Sequence, residues 1–230
     1  MLEVDPVLQG NLLTAGAPEV RDVHFERIDL DGGSWLEVGR GVLGGADDLL
    51  AELVESTDWR VGRRWMYDRE VDDPRLCRWY RVGEGDPHRL LGEVHRSLDA
   101  RYHDVMRGGR LGGVGLNYYR DGSDSVAFHA DRELTSVHEA VVAILVLGQQ
   151  RPFLVRPTGG GASVDLSPGS GDVVVMGGRC QADFEHSVPK SARPMGPRLS
   201  ASWRWSPGAT PTVRREGGYF ESRRWRSLSG

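Results

Sequence analysis

The side chains best placed to do chemistry lie in the tripeptide His129-Ala130-Asp131. In an extended strand, side chains two residues apart point to the same face, so this imidazole and this carboxylate can bind one metal ion. A second histidine would complete a two-His, one-carboxylate face with open positions, which suits non-haem Fe(II) and oxygen chemistry. Alone, the tripeptide is a weak signal, because a loop histidine beside a solvated aspartate is the commoner explanation.

A second histidine, His186, follows a predicted strand at 172–176 across a short turn. The many short strands of this region predict a sandwich or small barrel, in which residues far apart in sequence come face to face. We therefore expect His186 to approach His129 from the opposite sheet. His138 is the competing ligand candidate, but we expect it in a connection between elements.

The strongest periodic pattern of the chain is the strand from Arg198 to Trp205, which alternates polar and apolar residues without a break. One face carries Arg198, Ser200, Ser202 and Arg204, and the apolar face packs into the core. Two buried arginines without counter-charges would each cost several kcal/mol, so we expect an anion between them. A small dicarboxylate would fit, because arginine binds carboxylates bidentately. The alternative is an exposed edge strand with both arginines in water.

Residues 58–81 interleave seven arginines with five aromatic residues. Aromatic faces can stack on bases while arginine pairs with phosphate, so this stretch is the best candidate for a surface that faces nucleic acid. The alternative is that the aromatic residues are core and the arginines pair with nearby acidic residues. The substrate-binding candidates here are Arg63, Arg64, Trp65 and Tyr67.

The remaining pattern predicts a mainly β protein with flanking helices. Apolar spacing indicates helices over 46–55 and 88–107, and a strand is predicted over 23–30. From Gly113 onward the chain predicts short strands joined by glycine-rich turns. An almost unbroken apolar run, 140–148, indicates a strand that is buried on both faces.

Composition narrows the classes of function. The 230 residues suffice for one domain, and 39% hydrophobic with 27% charged residues is ordinary for a globular protein. A net charge of −4 argues against non-specific polyanion binding by the whole surface. Two cysteines are too few for a disulfide framework, and we expect a cytoplasmic protein. We expect no secretory signal and no membrane span. We also expect the protein to be a monomer.

Several motifs in a fixed order carry a resemblance to a known family. They are Asn117-x-Tyr119, Asp121-Gly122-x-Asp124, His129-x-Asp131-x-Glu133, Val142-Ala143-Ile144-Leu145-x-Leu147-Gly148, Gly171-Asp172-Val173-Val174-x-Met176, His186-x-x-Pro189 and Arg198-x(5)-Arg204. Together they resemble the AlkB family of Fe(II)- and 2-oxoglutarate-dependent dioxygenases over roughly residues 60–206.

The resemblance implies a double-stranded β-helix, a jelly-roll variant, with an N-terminal nucleotide-recognition extension. We expect the extension at 1–110, the dioxygenase core at 111–210 and a tail at 211–230, all in one compact domain. The implied iron ligands and catalytic residues are His129, Asp131 and His186. The implied 2-oxoglutarate contacts are Asn117, Tyr119, Arg198, Ser200, Ser202 and Arg204. Serine stands at 200 where the family commonly has asparagine, so a contact of Ser200 with 2-oxoglutarate stays open.

The implied function is oxidative dealkylation of N-alkylated bases in DNA or RNA, with Fe(II), 2-oxoglutarate and O2. Glu133 matches a family position for an acidic residue near the base, and Trp65 and Tyr67 are the stacking candidates. Two other hypotheses remain: the same oxygenase chemistry on a protein side chain or small molecule, and a non-catalytic β-sandwich that binds metal. A zinc hydrolase would explain neither Arg198 nor Arg204.

Overall fold

The secondary structure is mainly β, and the computed structural model describes residues 18–66, 68–207 and 225–227. Three α-helices are described: α1 (Ala46–Ser56), α2 (Arg89–Tyr102) and α3 (Cys180–Asp183). The strands are β1 (Glu19–Val20), β2 (Phe25–Asp29), β3 (Trp35–Gly39), β4 (Leu43–Gly44), β5 (Arg60–Met66), β6 (Arg69–Tyr80), β7 (Gly109–Tyr119), β8 (Val126–His129), β9 (Ala140–Gly148), β10 (Leu154–Pro157), β11 (Val164–Asp165), β12 (Val173–Gly178), β13 (Phe184–Val188), β14 (Arg198–Pro207) and β15 (Trp225–Ser227).

Most of the described strands belong to two antiparallel sheets. The major sheet has nine strands in the order β15-β5-β6-β7-β14-β9-β12-β3-β2, and the minor sheet has four in the order β11-β10-β13-β8. A separate pair joins β1 and β4. Strands β2, β3, β5 and β6 come from the predicted N-terminal extension, yet they extend the major sheet on both sides. The extension is therefore continuous with the sheet that carries the core.

The two faces of the major sheet bury different clusters. Alternate residues of β9, such as Val141 and Leu145, pack with the helices on one face. Their neighbours, such as Val142 and Val146, pack against residues of the minor sheet on the other face. This double burial explains why the run at 140–148 is apolar at every position rather than at every second one.

Helix α2 ends earlier than the predicted span of 88–107. It stops at Tyr102, and residues 103–108 form turns. Arg107 and Gly108 have φ angles of 43° and 88°, which an α-helix cannot continue through. The hydroxyl of Tyr102 donates to Glu37 in β3 at 2.6 Å, so the end of the helix is attached to the major sheet. Among the described residues, no helix has both the length and the apolar character to cross a membrane.

Candidate active site

Strands β8 and β13 bring the two candidate histidines together. His129 and His186 are direct partners in the register of the two strands, and their ring centroids are 4.3 Å apart. The expectation that His186 comes from the opposite sheet is wrong, because both histidines belong to the minor sheet. Short helix α3 carries the chain from β12 in the major sheet to β13 in the minor sheet, and so places His186 beside His129.

Asp131 lies two residues beyond the end of β8, in extended backbone. Its side chain is almost fully buried and forms a bidentate ion pair with Arg204, at 2.8 Å from Nε and 3.2 Å from Nη2. The carboxylate therefore faces Arg204. Among the described residues, no group of three or more His, Cys, Asp or Glu side chains is arranged to hold a metal ion. A carboxylate has about four lone-pair sites, so the pairing with Arg204 leaves acceptor capacity.

The protonation states of the three candidate ligands suit metal binding. Burial and, to a lesser extent, the nearby His129 lower the pKa of His186 to about 3. Burial also lowers the pKa of His129. Burial opposes ionisation of Asp131, but its neighbours, Arg204 first among them, together outweigh burial and lower the pKa of this carboxyl. At neutral pH the site therefore offers two neutral imidazoles and one carboxylate, the forms in which these groups bind a metal.

The orientation of His129 also leaves a nitrogen available. Its Nδ1 lies 2.9 Å from the carbonyl oxygen of Ala127. Because a carbonyl only accepts, Nδ1 carries the proton and Nε2 keeps a free lone pair. A backbone contact of this kind, which sets the tautomer and the ring direction, is the usual support of a metal-binding histidine.

Arg198, at the start of β14, is a fully buried cation. Its Nη1 donates to Ser200 Oγ at 2.7 Å, while Nε and Nη2 have no hydrogen-bond partner among the described residues. Burial lowers the pKa of Arg198 to about 10, so the guanidinium still carries its charge at neutral pH. Tyr119 also contacts this guanidinium, but no carboxylate among the described residues pairs with it. A buried cation with two such donors and no counter-charge indicates a missing anionic ligand.

The sequence predicted that Arg204 would need an external anion, but Asp131 already supplies its counter-charge. The side chain also donates to Ser202 Oγ at 3.1 Å, and its Nε lies 3.9 Å from Glu133. The two serines of this face thus each accept from an arginine two residues away, Ser200 from Arg198 and Ser202 from Arg204. Arg198 is therefore the arginine that mainly requires an external anion.

Asn117 and Tyr119 lie on β7, next to β14. The Oδ1 of Asn117 accepts from Arg75 Nε at 2.9 Å and from Cys77 Sγ at 3.3 Å. With its oxygen occupied, the amide of Asn117 offers its nitrogen as a donor. Tyr119 is buried, burial raises the pKa of its hydroxyl, and its ring centroid lies 5.3 Å from the guanidinium carbon of Arg198.

All of these candidate side chains except Arg198 line one cavity between the two sheets. Its volume is about 120 Å³, enough for a small polar molecule. The lining consists of Arg75, Asn117, Tyr119, Val126, Ala127, Phe128, His129, Asp131, Ile144, Phe153, His186, Val188, Ser200, Ser202 and Arg204. The structure thus brings imidazoles, a carboxylate, hydroxyls and a guanidinium into one pocket, which can bind a metal ion together with an anionic molecule.

The predicted substrate residues lie elsewhere or are not described. Glu133 has a one-third exposed side chain near Arg204. Arg63 is paired with Glu70 at 3.3 Å and with Asp72 at 3.1 Å on the β5–β6 hairpin. Neither residue is among those that line the cavity. The side chains of Arg64 and Trp65 are not described, and Tyr67 lies outside the described residues.

Sequence reasoning missed three buried polar residues that support the pocket. Arg75 holds Asn117, as described above. Arg151 donates to the carbonyls of Asp121, Asp124 and Pro189, and so ties the turn before β8 to the segment after β13. Gln181 accepts from the backbone N–H of Asp131 at 2.8 Å. None of the three belongs to a periodic polar pattern, so only the folded structure could identify them.

Comparisons with known proteins place the chain in a family. Residues 46–224 match the family described as the 2OG-Fe(II) oxygenase superfamily. The human alpha-ketoglutarate-dependent dioxygenase alkB homolog 3 is 26% identical over 178 residues, which cover 69% of this chain and 61% of the relative. The rat protein of that name is 30% identical over 177 residues, covering 69% and 59%. An Arabidopsis thaliana protein, DNA oxidative demethylase ALKBH2, is 31% identical over 130 residues, covering 46% and 41%.

Solved structures show a similar fold. A prolyl-4-hydroxylase from Pseudomonas putida has a TM-score of 0.54 at 15% identity, covering 76% of this chain and 93% of that one. A prolyl hydroxylase from Trichoplax adhaerens has a TM-score of 0.55 at 13% identity, covering 74% and 82%. The fold shared with these neighbours confirms the predicted mainly β jelly roll.

The matches cover different shares of the proteins compared. The chain spans about three fifths of the length of the curated alkB homolog 3 proteins that it matches. The superfamily match, in contrast, covers most of this chain. The chain therefore belongs to the 2OG-Fe(II) oxygenase superfamily, and its similarity to the alkB homologues agrees with the AlkB family predicted from its motifs.

Proposed function

We propose that this protein is an Fe(II)- and 2-oxoglutarate-dependent dioxygenase that removes N-alkyl groups from bases of DNA or RNA. One observation carries the proposal. One pocket is lined by His129, Asp131 and His186 together with Ser200 of β14, and Ser200 accepts a hydrogen bond from the fully buried cation Arg198 at 2.7 Å. This is the set that iron and a dicarboxylate require together, and the pocket lies within the superfamily match.

The residues present fit the iron. His129, Asp131 and His186 would hold it, since two imidazoles and one carboxylate are the ligand set of non-haem Fe(II) oxygenases. When bound, the iron supplies the oxidising chemistry that activates O2 against a C–H bond. Arg204 keeps the Asp131 carboxylate ionised and oriented through its bidentate contact. The apolar lining residues Val126, Phe128 and Phe153, of which Phe153 is buried, limit the access of water to the reacting carbon.

The residues present also fit 2-oxoglutarate. Arg198 has two free donors in a dry environment, where a charge-assisted pair with a carboxylate is stronger than in water. Asn117 and Tyr119 contribute further donors from β7. Ser200 and Ser202 orient the two arginines through their hydroxyl groups. Ser200 lines the pocket and holds Arg198, so a direct contact of Ser200 with 2-oxoglutarate stays open.

The proposed reaction is balanced by its co-substrates. One O2 and one 2-oxoglutarate are consumed, and succinate and CO2 leave together with an alkyl carbon that has gained a hydroxyl group. A hydroxyl on the carbon attached to a base nitrogen gives a hemiaminal, which breaks its C–N bond to release an aldehyde and the unmodified base. The protein has to place the alkyl carbon of an extruded base at the pocket, at a cost of a few kcal/mol.

The proposed substrate class rests on the relatives and on charge. The Arabidopsis relative is named a DNA oxidative demethylase. Glu133, partly exposed beside Arg204, would favour a cationic N-alkylated base. The β5–β6 hairpin carries Arg63, Arg64 and Trp65 and is the proposed nucleic-acid surface. Because Arg63 is paired with two carboxylates, it contributes less free positive charge than its sequence position indicated.

The function is tested by incubating the protein with Fe(II), 2-oxoglutarate and N-methylated oligonucleotides. Single-stranded DNA, duplex DNA and RNA are compared, with succinate and oligonucleotide mass both measured. We expect succinate to form in step with demethylation of at least one of these substrates. Succinate without any change in an oligonucleotide would favour the alternative substrates, a protein side chain or a small molecule. Absence of succinate in every reaction would refute the oxygenase itself.

Trp65→Ala tests the proposed nucleic-acid surface. Stacking of an aromatic side chain on a base contributes ~1–3 kcal/mol, so oligonucleotide binding should weaken roughly ten- to a hundredfold. Binding is measured by fluorescence anisotropy at one fixed salt concentration, because phosphate contacts depend on salt. The affinity for 2-oxoglutarate serves as the control and should not change. Unaltered oligonucleotide binding would remove Trp65 from the proposed surface.

A further inference from the structure

The side chain of Gln181 is a buried amide that contacts a predicted metal ligand. It lies in α3, is 2% exposed, and does not line the cavity. Its Oε1 accepts from the backbone N–H of Asp131 at 2.8 Å across 50 residues of sequence. We propose that Gln181 is a positioning residue for Asp131, which sets where the carboxylate stands for metal binding. The inference rests on the proposed function.

The backbone at Asp131 needs such support, because the strand has already ended. Strand β8 stops at His129, and Asp131 precedes a short 3-10 helix that begins at Arg132. In this buried position an N–H without an acceptor would be destabilising. The Oε1 of Gln181 takes the place of the sheet partner that β13 no longer provides.

Contacts of both its oxygen and its nitrogen determine which way the Gln181 amide points. The N–H of Asp131 requires an acceptor, so the oxygen of the amide faces it. The amide nitrogen lies 3.8 Å from the Sδ of buried Met176, a weak acceptor. A flipped amide would place two N–H groups against each other, so the orientation is well determined.

Gln181 also connects two ligands through the fold. Helix α3 continues directly into β13, which carries His186 five residues after Gln181. The same short segment thus delivers one ligand and fixes the backbone of another. Supporting contacts of this kind typically change metal affinity by about 10- to 100-fold when they are removed.

The test is a titration of the metal-free protein with Mn(II) and saturating 2-oxoglutarate, followed by electron paramagnetic resonance. Gln181→Met keeps a similar length and volume but replaces the amide oxygen by a weak acceptor. We expect its Mn(II) affinity to fall about 10- to 100-fold. Gln181→Glu, ionised or protonated, keeps an oxygen acceptor for Asp131 and should bind Mn(II) within about threefold of wild type on the same ground. Gln150→Met, at an exposed glutamine that contacts Ser167, is the matched control and should bind as wild type.

The outcomes separate this inference from the proposed function. If wild type binds no Mn(II), the proposed metal site fails. If wild type binds and Gln181→Met binds equally well, Gln181 does not position Asp131. A fall in affinity that Gln181→Glu shares would point to packing rather than to the acceptor, and would also overturn the inference. The thermal midpoint of the metal-free proteins is recorded in parallel, and Gln181→Leu replaces Gln181→Met if the latter does not fold.

Discussion

Replacing His186 with alanine should abolish the formation of succinate from 2-oxoglutarate, and His129→Ala and Asp131→Ala should do the same. The three side chains share one pocket, with the two imidazoles in adjacent strands and 4.3 Å apart between ring centroids. Each ligand lost leaves an incomplete set for the metal, so the Fe(II) and oxygen chemistry that this ligand set supports should be lost with it. Succinate is measured by mass spectrometry after incubation with Fe(II), 2-oxoglutarate and a methylated oligonucleotide.

The matched control for this prediction is His138→Ala. His138 is exposed and its Nε2 contacts Arg179 rather than the pocket, so its removal should leave succinate formation at the wild-type level. Circular dichroism of the metal-free variants checks that they fold. Wild-type succinate production by a folded variant at 129, 131 or 186 would remove that residue from the ligand set. Loss of production in His138→Ala would show that the effect is not specific to the pocket.

The strand β14 shows how much of the site the sequence could predict. Its alternation indicated one polar and one apolar face, and Leu199, Ala201 and Trp203 are indeed fully buried on the helix side of the major sheet. Arg198 and Arg204 lie on the opposite face, and Arg204 lines the pocket. The prediction works because side-chain direction in a strand depends only on local geometry, with a period of two residues.

The order of the strands could not be read in the same way. His186 was expected from the opposite sheet, but β13 pairs directly with β8. Likewise, Arg204 and Asp131 are 73 residues apart, and their ion pair depends on how β14 faces the end of β8. Contacts of this kind arise from topology, on which hydrophobic periodicity carries no information.

The β5–β6 hairpin shows the limit of composition. A dense mixture of arginine and aromatic residues indicated a nucleic-acid surface, but the pairing of the strands decides which charges are free. Arg63 stands directly opposite Asp72 in the register, and the two form an ion pair at 3.1 Å. Surface pairs contribute little to stability, yet they reduce the charge available to phosphate, and only the register reveals them.

Arg198→Met should weaken 2-oxoglutarate binding and, at the same time, leave the unliganded protein at least as stable as wild type. Loss of a buried, charge-assisted pair costs ~2–5 kcal/mol when its partner is left unpaired, which corresponds to at least roughly a thirtyfold loss of affinity. In the ligand-free protein, the substitution should leave the free energy of unfolding unchanged or raise it. Arg198 is a fully buried cation with two unpaired donors, and replacing a buried charge by an apolar side chain of similar volume is often neutral or stabilising.

Two measurements on one variant therefore decide the role of Arg198. Calorimetric titration of the metal-loaded protein gives the affinity for 2-oxoglutarate, and urea unfolding of the ligand-free protein gives the free energy of unfolding. Arg198→Lys keeps the charge but lacks the planar fork, so we expect an affinity between those of wild type and Arg198→Met. Arg193→Met, at an exposed arginine ahead of β14, should change neither quantity. If Arg198→Met lowers stability and binds 2-oxoglutarate as wild type does, Arg198 is a structural residue and the anion must bind elsewhere in the pocket.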